Sequence, residues 1–147
     1  MKRFFEIMQN AQAVAADIDA IADHLRLLGL PIEVVDLSGG SKGIRATTSG
    51  IPFSAFLFKN DEQNSPYLML SAMFPDRKVS LEWANAWNSR FPLTRAAVAS
   101  EGEPMLTQSI ILTGIDTDHL KEVASWWDLL LRIFVEDILS VSPLPTR

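Results

Sequence analysis

The chain holds two histidines and no cysteine, so few residues are equipped to do chemistry. His24 stands beside Asp23, and His119 follows Asp116 and Asp118 in the run Asp-Thr-Asp-His. Two carboxylates and an imidazole could hold a divalent metal, yet this spacing matches no standard metal site. The competing reading is that both acids cap a helix start, where unpaired N–H groups favour negative charge, and the sequence favours it. The run SGGSKG, Ser38 to Gly43, has the glycine-rich backbone that can cradle phosphate. It lacks the phosphate-loop spacing and joins strand to strand rather than strand to helix, so it reads as a hairpin loop. No G-x-S-x-G elbow activates a serine. Glu101 and Glu103 fall in a turn, where solvated charge is ordinary. Without cysteine there is no disulfide framework, no thiolate metal site and no cysteine nucleophile. No catalytic residue, metal or cofactor is therefore expected. The alternative is an enzyme or small-ligand binder whose site assembles from dispersed polar residues, His119 and its aspartates among them.

The densest aromatic stretch is LEWANAWNSRFP, Leu81 to Pro92. Trp83 and Trp87 are four apart and share a side of a helix. Ala84, Trp87, Asn88 and Phe91 form an overlapping stripe at the same spacing. Aromatics at helical spacing are usually core, so Trp87 and Phe91 are expected to anchor the helix to a sheet, with Asn88 bonding nearby backbone. Trp83 and Asn85 are freer to face outward, which makes Trp83 a candidate interface residue.

The surrounding periodicity supplies the elements that would position these groups. Apolar residues recur at helical spacing from Phe4 to Leu28, and Gly29 and Pro31 stop the run. Asp17 could cap a second helix within it, so one long helix and two shorter ones are both open. Strands are expected at Ile32 to Leu37, Ile44 to Thr48, Ile51 to Phe58 and Tyr67 to Phe74. Ser80 caps the tryptophan helix, Pro92 ends it, and strands follow at Leu93 to Ala99 and Met105 to Thr113. Asp116 or Thr117 then caps a long final helix. The order α-β-β-β-β-α-β-β-α predicts an α+β fold, helices packed on an antiparallel sheet. The 147 residues make a single domain, with residues 1–16 as an N-terminal helical extension and residues 141–147 as a flexible tail.

A formal net charge of -5 without a basic stripe argues against nucleic-acid binding, which rests on Lys and Arg. The opening MKRF resembles a secretory signal, but Glu6, Gln9 and Asn10 interrupt any apolar segment. Asp128 and Arg132 break the best candidate for a membrane span, so no membrane insertion is expected. A cytoplasmic location is the expectation.

At WNSRFPLTRAAV, Trp87 to Val98, the chain resembles the YbjN family of bacterial proteins. MLTQSIILTGID followed by a long amphipathic helix fits the same pattern, as does the earlier AIADHLRLLGLPIEVVD. The likeness covers roughly Asp17 to Ile138 and leaves out Trp126-Trp127. The family is described as regulators of bacterial sensory transduction, with a fold similar to type III secretion chaperones. The resemblance implies that fold and a binding role, and it supplies no catalytic residue.

The last helix is apolar beyond the needs of one face. Leu120, Val123, Trp127, Leu130, Phe134 and Ile138 make the core stripe. Trp126, Leu129, Ile133 and Val135 widen it and leave Asp128, Arg132 and Glu136 as a polar stripe. IPFSAFLF and YLMLSAMF likewise carry apolar groups on both faces, more than one layer of helices covers. Left in water, that surplus would exceed what soluble monomers expose, which predicts a homodimer with a further protein partner. The competing cover is the chain's own segment Phe4 to Ala15. The function expected is a non-enzymatic protein-binding domain, a regulator or chaperone-like adaptor that grips another polypeptide.

Overall fold

The computed structural model describes residues 17–59 and 66–142. The expected extension over residues 1–16, its use as a fold-back cover, and residues 143–147 lie outside them. Among the described residues the order is α1 (Ile18–Leu27), β1 (Ile32–Asp36), β2 (Lys42–Thr48), β3 (Ile51–Phe58), β4 (Tyr67–Met73), α2 (Leu81–Arg90), β5 (Arg95–Val98), β6 (Pro104–Ile111) and α3 (Thr117–Val141). This is the α+β order the periodicity predicts. SGGSKG is a hairpin loop with one short 3-10 turn at Ser38–Gly40.

Each helix begins where a side chain serves its unpaired N–H groups. Asp17 accepts from the N–H groups of Asp19 and Ala20, Ser80 from that of Trp83, and Asp116 from that of His119. Past the end of α1, Gly29 takes φ 85°, a left-handed turn that L side chains resist. Val141 and Ser142, placed in a flexible tail from the sequence, instead close α3. The Ser142 carbonyl accepts from Arg77 Nη1 at 2.7 Å, and its hydroxyl accepts from the Lys78 N–H at 3.1 Å.

The strands make one antiparallel six-stranded sheet in the order β1-β2-β3-β4-β6-β5. Period-two alternation assigns its faces. Ile44, Ala46, Phe53, Ala55, Leu68, Leu70, Leu106 and Ile110 are buried beneath the three described helices. Phe53 meets Trp127 of α3 edge-on at 5.7 Å. Phe134 of α3 packs in turn on Trp83 and Trp87 of α2, at 5.2 and 4.9 Å between ring centres, and on Phe74 at 5.9 Å. On the opposite face Phe56 lies across Gly43, where an added Cβ would come within 3.4 Å of its ring and 3.2 Å of Leu37.

The tryptophan–asparagine pair locks α2 to the sheet edge. Trp87 is buried, and its Nε1–H donates to Thr94 Oγ1 at 3.1 Å. Asn88 Nδ2 donates to the Ala96 carbonyl at 3.0 Å, while the Ala96 N–H donates to Asn88 Oδ1 at 2.6 Å. Ala96 is an edge residue whose N–H and C=O point away from β6, so the Asn88 amide stands where a neighbouring strand would.

Asp128 of α3 ties the helix to the β2–β3 hairpin. Its Oδ1 accepts from the Thr48 and Ser49 hydroxyls at 2.6 and 2.7 Å, and its Oδ2 accepts from Arg132 Nε at 3.0 Å. Ser49 and Gly50 have φ of 49° and 76°, the two-residue turn that matches strand twist. Burial pushes the Asp128 carboxyl up, but the hydrogen bonds from Thr48, Ser49 and Arg132, with the Arg132 charge, outweigh it and hold the pKa below the ordinary aspartate value.

Two stability outcomes follow from these contacts. Trp87→Ala should cost about 3–5 kcal/mol in urea melts, the usual toll of emptying a buried aromatic site, and Trp83→Ala distinctly less. The reverse order would mean that Trp83 carries the packing assigned to Trp87. Asp128→Asn should cost about 1–3 kcal/mol at neutral pH through lost charge-assisted bonds. Because the folded carboxyl titrates lower than the unfolded one, its stabilisation is present above the unfolded pKa and is lost as pH falls through the folded one. The gap in urea midpoint between wild type and variant should therefore close toward acid. A gap that stayed constant with pH would remove the carboxylate charge from the explanation.

Candidate interaction site

Of the residues singled out as interface, the structure groups some and separates others. Trp126 and Leu129 stand one turn apart on α3, with 44% and 39% of their surface exposed. Ile133 is half-buried and packs on the core, and Val135 is half-buried too. Trp83 does not face outward: it is half-buried against Phe134. The reason is that α3 crosses α2 on the side Trp83 and Trp87 share, so both indoles meet the same ring. Trp87, Asn88 and Phe91, read as structural, all hold α2 in place, with Phe91 stacked on Trp87 at 4.3 Å.

The polar residues considered for chemistry are dispersed. His24 is half-buried on α1, whereas His119 is exposed in the first turn of α3. The Asp116 carboxylate is engaged as a cap, accepting from the His119 N–H at 2.7 Å. Glu103 Oε2 accepts from the Glu101 N–H at 2.9 Å and closes the β5–β6 turn. Among the described residues, no three His, Cys, Asp or Glu side chains are grouped to hold a metal ion.

Two features stand out, the first with no counterpart in the sequence reading and the second legible there as apolar residues on both faces of Ile51 to Phe58 and Tyr67 to Phe74. The first is a cavity of about 470 Å³ between the end of β6 and the start of α3. Ile110, Ile115, Val123 and Trp126 wall it, Leu93, Ser109 and Ile111 form its open side, and His119 and Glu122 line it from α3. Gln108 also lines it, is only 9% exposed, and has a buried Oε1 with no hydrogen-bond partner. An orphaned buried acceptor typically costs a few kcal/mol, so it calls for an explanation. The signal was present: Gln108 interrupts the apolar row of Leu106, Ile110 and Leu112.

The second is the outer face of the sheet, which none of the described helices covers. Phe58 and Tyr67 are paired across strands and stacked at 5.1 Å, and Tyr67 is paired in turn with Ile111. Phe56 and Met69 form the next row, with Val35 beyond. Phe58 is 40% exposed and Ile111 66%. A belt of Ser54, Ser71 and Thr107 separates this patch from Met73 and Met105.

None of the described helices is long and apolar enough to cross a membrane. No curated protein matches the chain significantly. A family model does: YbjN, with the description "Putative bacterial sensory transduction regulator", matches residues 17–139. That span runs from the cap of α1 to the last turn of α3 and takes in every strand. The chain belongs to the YbjN family.

Proposed function

We propose that this YbjN-family chain is a non-enzymatic cytoplasmic regulator that grips another polypeptide, in the manner of a chaperone or adaptor, and does so as a homodimer. The observation that carries the reading is the aromatic outer face of the sheet. Phe56, Phe58, Tyr67, Met69 and Ile111 offer contiguous apolar surface with a polar belt on one side, the composition of a protein-binding patch. A regulatory role agrees with the description of the family. Trp126 and Leu129 supply a second, smaller apolar patch on α3 for self-association. One self-complementary patch can satisfy both chains of a two-fold dimer.

Capture on the immobilised full chain, read by mass spectrometry, tests the partner. A protein retained by the wild type and lost with Phe58→Lys plus Met69→Lys is the expected outcome. An identical set of proteins on both would sink the outer-face reading. Light scattering coupled to size exclusion tests the dimer: the wild type should run as two chains at micromolar concentration, and Leu129→Lys as one. A monomeric wild type would overturn the dimer without touching the partner surface.

A further inference from the structure

The sheet has a gap on its β5 side. The four-residue β5 covers β6 only from Pro104 to Thr107, so nothing in the sheet flanks β6 beyond that point. The ladder fixes which groups are left over. The Ala99 N–H donates to the Glu103 carbonyl, which places the odd-numbered residues of β6 toward β5. The Leu112 N–H donates to the Pro66 carbonyl and the Phe74 N–H to that of Pro104, which places the even-numbered ones toward β4. Ser109 and Ile111 therefore turn their N–H and C=O groups into the gap, with no strand partner among the described residues. The cavity walled by Ile110, Val123 and Trp126, with the unpartnered Gln108 Oε1, opens beside these groups.

We propose that this notch is a docking site for an extended peptide segment that adds a short strand to β6 and seats a large apolar side chain in the cavity. The reading rests on the polypeptide-gripping function above and names where and how a segment is held. Alternating donors and acceptors at strand spacing are matched by another extended backbone. Alternation then sends the side chain opposite Ile110 under α3 into the cavity, while its neighbours lie beside Ser109 and Ile111 on the outer face. Turning the Gln108 amide about its last torsion offers either a donor or an acceptor to that segment. Glu122 lines the cavity, is exposed, and forms no ion pair among the described residues. With the net charge of the chain at -5, this favours a lysine or arginine flanking the apolar residue.

The test selects a phage-displayed library of random linear peptides on the full-length chain and labels the best binder with fluorescein. Hydrogen exchange on the wild type is the primary readout: the Ser109 and Ile111 amides should exchange quickly alone and slow when the peptide is added. Ile111→Pro, compared with Ile111→Ala, removes the notch-facing N–H beyond the shared loss of the outer-face side chain, since Pro is tolerated where that group is not part of the ladder. It should weaken binding about tenfold or more, whereas Val34→Pro on the opposite edge strand should leave affinity unchanged. Peptide binding with no slowing at Ser109 and Ile111 would overturn the notch while leaving the broader binding function standing. Slowing that grows with protein concentration, without peptide, would assign the gap to a second copy instead. A library that yields no binder would also overturn the notch, whereas the capture experiment on the outer face would still decide the general reading separately.

Discussion

Phe134 is withdrawn from solvent where rings from two other segments converge, Trp83 and Trp87 from α2 and Phe74 from the end of β4. Aromatic pairs at these separations contribute packing beyond their buried area, and this one obliges α2 and α3 to share a face of the sheet. With α1 over β1 and β2, the roof is then complete. Six strands at about 4.8 Å spacing span roughly 25 Å, and helices set about 8–10 Å apart cover a similar width with three. The described helices are thereby used up on one side. The other side keeps its phenylalanines and methionines, and the binding reading grows from that imbalance.

The local code was legible to the extent that one residue type dominated each decision. Asp17, Ser80 and Asp116 mark the three helix starts because each carries a short acceptor before an apolar-periodic run. The strands were legible from alternation, and their ends shifted by two residues at most, as at β2, which begins at Lys42 rather than Ile44. The structural work of Trp87 and Asn88 is legible locally because their partners, Thr94 and Ala96, lie within eight residues. Trp83 is more buried than its spacing suggests because the ring that covers it, Phe134, is distant in sequence, and Ile133 likewise packs on the core. The Asp128 clamp reaches Thr48 across eighty residues, and no spacing rule reads such a contact. The cavity beside β6 depends on where β5 stops relative to its neighbour, which is a property of pairing rather than of either strand.

The two borders of the sheet are handled differently. At β5 the edge is short and partly stopped by a side chain, and past it β6 is bare at Ser109 and Ile111. At β1 the Thr47 N–H donates to the Pro31 carbonyl and the Leu37 N–H to that of Ser41, so Ile32, Val34 and Asp36 turn their backbone groups outward. Charged residues at an edge discourage pairing with other chains, and β1 carries Glu33 and Asp36. The bare stretch of β6 carries Ser109 and Ile111 instead, with no charge to repel an incoming strand.

The Asn88 amide couples to Ala96 through both a donor and an acceptor, and such a pairing has only one fit. A helix held to a sheet by apolar contacts alone can slide by fractions of a residue at small cost, because those contacts are non-directional. Here any slip of α2 along the strand breaks two bonds at once and offers no neighbouring register in which to remake them. The helix is thus indexed to the sheet like a pawl in a ratchet wheel. Displacement of α2 must carry β5 with it, and β5 is the strand whose end defines the gap beside β6.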